Sequence, residues 1–110
     1  MTSGDQAVAL RIAHIREEIA FLRSSLENTS TVRAVEHPLH RRAIERSLQI
    51  ITEAVRHIPA AMTERFPLIE WKAIRDMGNR LRHDYDRLDQ NVIIEVLDFE
   101  LDSLDHACEQ

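Results

Sequence analysis

Apolar residues recur at alternating steps of four and three along the first quarter of the chain: Val8, Ile12, Ile15, Ile19, Leu22 and Leu26. That spacing lays one apolar stripe on a long amphipathic helix, with Arg11, Arg16, Glu17, Glu18 and Arg23 on its other faces. The stretch "ENTSTV" interrupts it, because short polar side chains compete for backbone hydrogen bonds and favour caps over helix interiors. A second long helix follows Pro38 and carries Ile44, Leu48, Ile51, Val55 and Ile58 on the same rhythm, and Pro59 either ends it or starts the next turn. "AMTERFP" reads as a short helical connector closed by Pro67. The third long element is expected from about Leu68 to about Tyr85, with Ile74, Met77 and Leu81 buried and Trp71 near its start. "DRLDQN" is a loop in which Asp89 caps a last helix built on Ile94, Leu97, Leu101 and Leu104. The pattern predicts an all-α, up-and-down bundle of four to five helices forming one domain over residues 1–110.

Composition agrees with a globular helical domain: 44% of the residues are apolar and 30% charged, and only 2 glycines and 3 prolines are present to make turns. A formal charge of −5 argues against a protein coated in DNA, yet leaves room for a small basic site on an acidic body. Cys108 is the lone cysteine, so no internal disulfide can form and a reducing compartment is expected. The N-terminus has no basic region followed by an apolar run, and no window reaches the length of a membrane span. A cytoplasmic location is the expectation.

The chemistry concentrates in "RDMGNRLRHDYDRLD", Arg75 to Asp89. Over residues 71–87, five basic side chains oppose three acidic ones, a net of +2, and four of the five are arginines, whose planar fork matches phosphate oxygens. A solvated face of mixed charge is the bland reading; His83 within the cluster argues for a site. The same helix holds Gly78, which costs about 1 kcal/mol relative to alanine in a helix interior.

"WKAIRDMGNRLRHDYDRLD" resembles the signature of the HepT-like family of the HEPN superfamily, Trp-x-x-Ile-x-x-Met/Leu-Arg-Asn-x-Leu-x-His-x-Tyr with a late Asp. Trp71, Ile74, Met77, Asn79, Leu81, His83, Tyr85 and Asp89 match it. Upstream, "RRAIERSLQIITEAVRHIP" is similar to the family's Ala-x-Glu-Arg-x-Leu-x-x-Ile-Gly-Glu-Ala helix. Ala43, Glu45, Arg46, Leu48, Ile51, Glu53 and Ala54 match, while Thr52 stands where glycine is usual. The resemblance spans nearly the whole chain and implies a toxin-type endonuclease that cuts RNA with no metal or other cofactor, usually as a homodimer. It also implies a minimal nucleotidyltransferase antitoxin that can attach AMP to the motif tyrosine, here Tyr85.

In such a site a base removes a proton from the ribose 2′-OH and a cation holds the charge gathering on phosphate. His83 suits the first role, since an unperturbed imidazole titrates near neutral pH, and an arginine suits the second. Asn79 is placed to orient His83 or donate to substrate, and Glu53 to pair with an arginine of the motif helix as support. The family's arginine stands five residues before the histidine, and that position is Gly78 here. Arg82, one turn along, is the first candidate to replace it by leaning back across the bare surface. Arg80 and Arg75 follow in that order. The alternative is that Gly78 serves close helix or dimer packing and catalysis is lost, leaving a non-catalytic helical dimer that binds nucleotide, RNA or a nucleotidyltransferase partner. His37 and His40 have a spacing that zinc can use, but without a second pair they read as loop histidines. His57 reads as a partner of a helix C-terminus.

Overall fold

A computed structural model of the chain describes residues 3–83 and 90–110, and side chains throughout except at Ser3 and His83. The described segments are helices joined by short turns. Helix α1 (Ser3–Ser25) packs along α3 (Pro38–Arg56), and α3 packs on its other side against α5 (Trp71–His83). A last helical stretch comprises α6 (Gln90–Glu95), a π-helical turn (Val96–Glu100) and α7 (Leu101–Cys108), and α7 returns to α1. Two short helices complete the set: α2 (Thr31–Glu36) and α4 (Ala60–Thr63). The all-α, single-bundle expectation describes this architecture.

The stripes read from the sequence make the core. Ile15, Ile19 and Leu22 of α1 are fully buried against Ile44, Leu48, Ile51 and Val55 of α3, with Met77 and Leu81 of α5 closing the far side. The buried hydroxyl of Ser47 donates to Glu18 Oε2 at 2.8 Å, which fixes the register of α1 on α3. At the other edge, Arg23 donates to Asp102 Oδ1 at 2.6 Å and Asp105 Oδ2 at 2.7 Å, clamping α1 to α7. Burial raises the Cys108 thiol to about 11, with Asp105 adding to the rise and Arg16 opposing it, so this cysteine is a neutral thiol at ordinary pH.

Three details differ from the sequence reading. The interruption after α1 is followed by a helix of its own: Ser30 caps α2 by accepting from the Arg33 amide at 3.1 Å. Helix α5 starts at Trp71, three residues later than expected, and Leu68 is left 94% exposed. In the last stretch, Ile93 is fully buried and its neighbour Ile94 only half-buried. The π turn supplies the reason. Its extra residue rotates everything before it by roughly 100° relative to Leu101 and Leu104, so the buried face moves from Ile94 to Ile93. The expected caps and site residues at Asp89 and Tyr85 lie outside the described residues.

Candidate active site

The motif helix α5 is anchored before it begins. Trp71 Nε1 donates to the Phe66 carbonyl at 3.0 Å, tying the first turn to the loop that precedes it. Its apolar edge, Ile74, Met77 and Leu81, meets the core, while Asn79, Arg80 and Arg82 share the last two turns with position 83. On the opposite side of that edge Lys72 pairs with Asp76 at 2.7 Å, an exposed i,i+4 pair of little energetic weight.

Gly78 is explained by its neighbour on α3. A Cβ at position 78 would sit 2.9 Å from both Cβ and Oγ1 of Thr52, closer than two such atoms can stand. Neither Thr52 atom is the free end of a long side chain, and Thr52 is itself buried, with its hydroxyl donating to the Gln49 carbonyl at 3.2 Å. The glycine is thus not required for backbone conformation, since no described residue has a positive φ. It is required because Thr52 of α3 fills the space that a side chain at position 78 would need. These two positions are the two departures from the family's pattern, and they touch. Where the pattern has glycine on the first helix and a large residue on the second, this chain has the threonine first and the glycine second.

The expectation that Arg82 lies across the surface left bare by Gly78 is corrected by the same contact, because Thr52 occupies that surface. Arg82 does lean back along its helix, and it is held there: Nη1 donates to Glu53 Oε2 at 3.2 Å, and Nη2 donates to Asn79 Oδ1. Glu53 also accepts from Arg56 Nη2 at 3.0 Å and His57 Nε2 at 3.1 Å. Two guanidiniums and an imidazole therefore share one carboxylate. Desolvation alone would raise the Glu53 carboxyl, but hydrogen bonds from His57 and then Arg56 outweigh it and hold the group below the ordinary range. A depressed carboxylate stabilises the fold above its unfolded pKa and loses that contribution as pH falls through the folded value. The thermal midpoint should therefore drop below roughly pH 4.3, and Glu53→Gln should flatten the drop slightly, since the group is more than a third exposed. Melting curves of both proteins across that range check this.

Arg80 is exposed and lines a groove of about 320 Å³ between α3, α5 and the last helical stretch, with Asp76, Glu95 and Glu100 near it and Met77, Val92 and Val96 in its wall. Arg75 is exposed on the same helix, two turns from position 83. His83 closes α5. Asn79, Arg82 and Glu53 are thus brought together, whereas Arg75 and Arg80 stand apart from that cluster. His37 and His40 stack on one another with ring centroids 4.4 Å apart. Among the described residues no three His, Cys, Asp or Glu side chains gather as a metal ion would need. No helix there is long and apolar enough to cross a membrane. Sequence reasoning missed Thr52 as a partner of the site; the signal was present as two unusual residues in two matched helices, but their contact depends on how the helices cross.

An all-helical domain with a buried helix pair and an arginine-rich motif helix locked by a carboxylate is the class of protein these features define. The chain matches the family described as ribonuclease HepT-like over residues 15–110, and it belongs to that family. A relative from Caldanaerobacter subterraneus subsp. tengcongensis, named as a candidate RNase, is 33% identical over 94 residues, covering 86% of this chain and 84% of that protein. Two relatives from Methanocaldococcus jannaschii, also named as candidate RNases, are each 34% identical over 59 residues, 54% of this chain and 49% and 51% of theirs. No solved structure matches the chain.

Proposed function

We propose that this HepT-like chain is a toxin-type, metal-independent RNA endonuclease. His83 takes the proton of a ribose 2′-OH, the freed 2′-oxygen attacks the adjacent phosphorus, and the bond to the 5′-oxygen breaks as that oxygen takes a proton from solvent, to which the protonated His83 then returns its own. The products carry a 2′,3′-cyclic phosphate and a 5′-OH. Arg82 holds the charge growing on the phosphate oxygens, with Arg80 the second candidate. Asn79 and Glu53 position Arg82, and Tyr85 is the control point to which a minimal nucleotidyltransferase antitoxin attaches AMP. The active species is a homodimer.

The observation that carries this reading is the guanidinium of Arg82, anchored on Glu53 and Asn79 in the helical turn that ends at His83. Preorganised donors aimed at developing charge supply the largest share of many rate enhancements. Glu53 does not cancel the local charge, because it is shared with Arg56 and His57. The parent should cleave single-stranded RNA with chelator present, and His83→Ala should lose about 10²–10⁴-fold of that rate. Intact mass after co-expression with the nucleotidyltransferase should show one adenylyl group, absent from Tyr85→Phe.

Gly78 favours a second reading. With no arginine at that position, the chain is a non-catalytic dimer that binds nucleotide, RNA or the nucleotidyltransferase. A well-folded parent that binds RNA and leaves it uncut would establish it.

A further inference from the structure

On the side of Arg82 away from the 320 Å³ groove, two hollows adjoin between α1, α3 and α5. One, of about 380 Å³, is lined by Arg42, Arg46 and Arg82 with Glu45; the other, of about 310 Å³, by Arg11, His14, Arg46 and Arg82 with Glu53. They share Arg46, Gln49 and Arg82, so they form one continuous depression. Four arginines line it on a chain whose net charge is −5. Its two carboxylates are already engaged, Glu45 by Arg41 Nε at 2.8 Å and Glu53 by Arg56, His57 and Arg82. Arg46 is steadied by Gln49 Oε1 at 3.0 Å, while Arg11 and Arg42 carry no ion pair among the described residues.

We propose that Arg11 and His14 of α1, together with Arg42 and Arg46 of α3, form a phosphate track that holds a single RNA strand and leads it to Arg82. The ligand class rests on the ribonuclease reading. Arg42 and Arg46 lie one helical turn apart, about 6 Å along α3, close to the separation of neighbouring phosphates on an extended single strand. Every basic side chain on the track except His14 is an arginine, in keeping with recognition of phosphate oxygens by a planar fork. Ile50 in the wall offers apolar surface for sugar edges. The track fixes the strand's register; it reads no base.

Binding of a short, uncleavable 2′-O-methyl single strand to the full-length chain, followed by fluorescence anisotropy across a salt series, tests this. Each phosphate contact contributes a slope of about −0.7 in log affinity against log salt. Arg42→Ala/Arg46→Ala should therefore bind more weakly with a slope shallower by about 1.4. Arg33→Ala/Arg65→Ala, which removes the same charge outside both hollows, should keep the parent's slope. A parent slope in the Arg42/Arg46 variant, or equal losses in both variants, would overturn the track. So would failure of the parent to bind the strand, which would leave an acidic protein surface as the partner of these arginines. Because the strand cannot be cut, absence of nuclease activity would sink the ribonuclease reading and leave this result standing on its own.

Discussion

Gly78→Ala should destabilise the chain, and in a Thr52→Gly background the same substitution should stabilise it. Alanine gains about 1 kcal/mol over glycine in a helix interior. At position 78 the added methyl would stand 2.9 Å from two Thr52 atoms, so α3 and α5 must separate. Overpacking of this kind costs about 1–3 kcal/mol, which exceeds the helical gain. Removing the Thr52 side chain removes the collision and leaves only the gain. The two positions should thus show a coupling of about 1–3 kcal/mol in a double-mutant cycle by denaturant unfolding. Additive effects would mean that the contact is not the reason for the glycine. The same logic extends to function: Gly78→Arg alone should be poorly folded, whereas Thr52→Gly/Gly78→Arg restores the family's pairing. The double variant should fold and cleave RNA faster than the parent.

Arg82→Ala should lower RNA cleavage about 10²–10³-fold, the usual effect of losing one preorganised donor to developing charge. The fold should hardly change, because the Arg82–Glu53 pair is partly exposed and such pairs are worth at most about 1 kcal/mol. Arg82→Lys should recover little. An ammonium keeps the charge but cannot place two nitrogens on Glu53 and Asn79 at once while offering a further donor outward. Arg80→Ala, removing an exposed arginine at the groove, should have the smaller effect. Cleavage by Arg82→Ala at the parent's rate would pass the phosphate role to Arg80.

The three stripes on α1, α3 and α5 were legible in the sequence because each buries one continuous face, and Ile19, Leu48 and Leu81 lie where the four-three rhythm puts them. The last helix was legible only in part. Val92, Ile93 and Ile94 are all apolar, so the sequence offers no preference among them once a π turn changes the phase. Helix α2 is too short to show a period, and only Ser30 at its cap announced it. At the candidate site, the pairing of Glu53 with an arginine of α5 could be expected from the matched helices. Which arginine could not, since Arg75 and Arg82 share a face two turns apart while Arg80 lies on another, and the sequence does not say where along α5 the Glu53 carboxylate falls. Close helix packing was one of the readings that Gly78 offered in the sequence, but its partner was not legible, because the 2.9 Å approach to Thr52 is a property of two helices packed together.

The chemistry of the cut ends is the most direct measure of the central claim that a histidine-based, arginine-assisted site attacks through the ribose 2′-oxygen. RNA cleaved by the parent in the presence of chelator should carry 2′,3′-cyclic phosphate and 5′-OH ends, and a single 2′-deoxy nucleotide at the scissile position should block the cut. Fragments with 3′-OH and 5′-phosphate ends, or cutting that continues at the deoxy position, would contradict it.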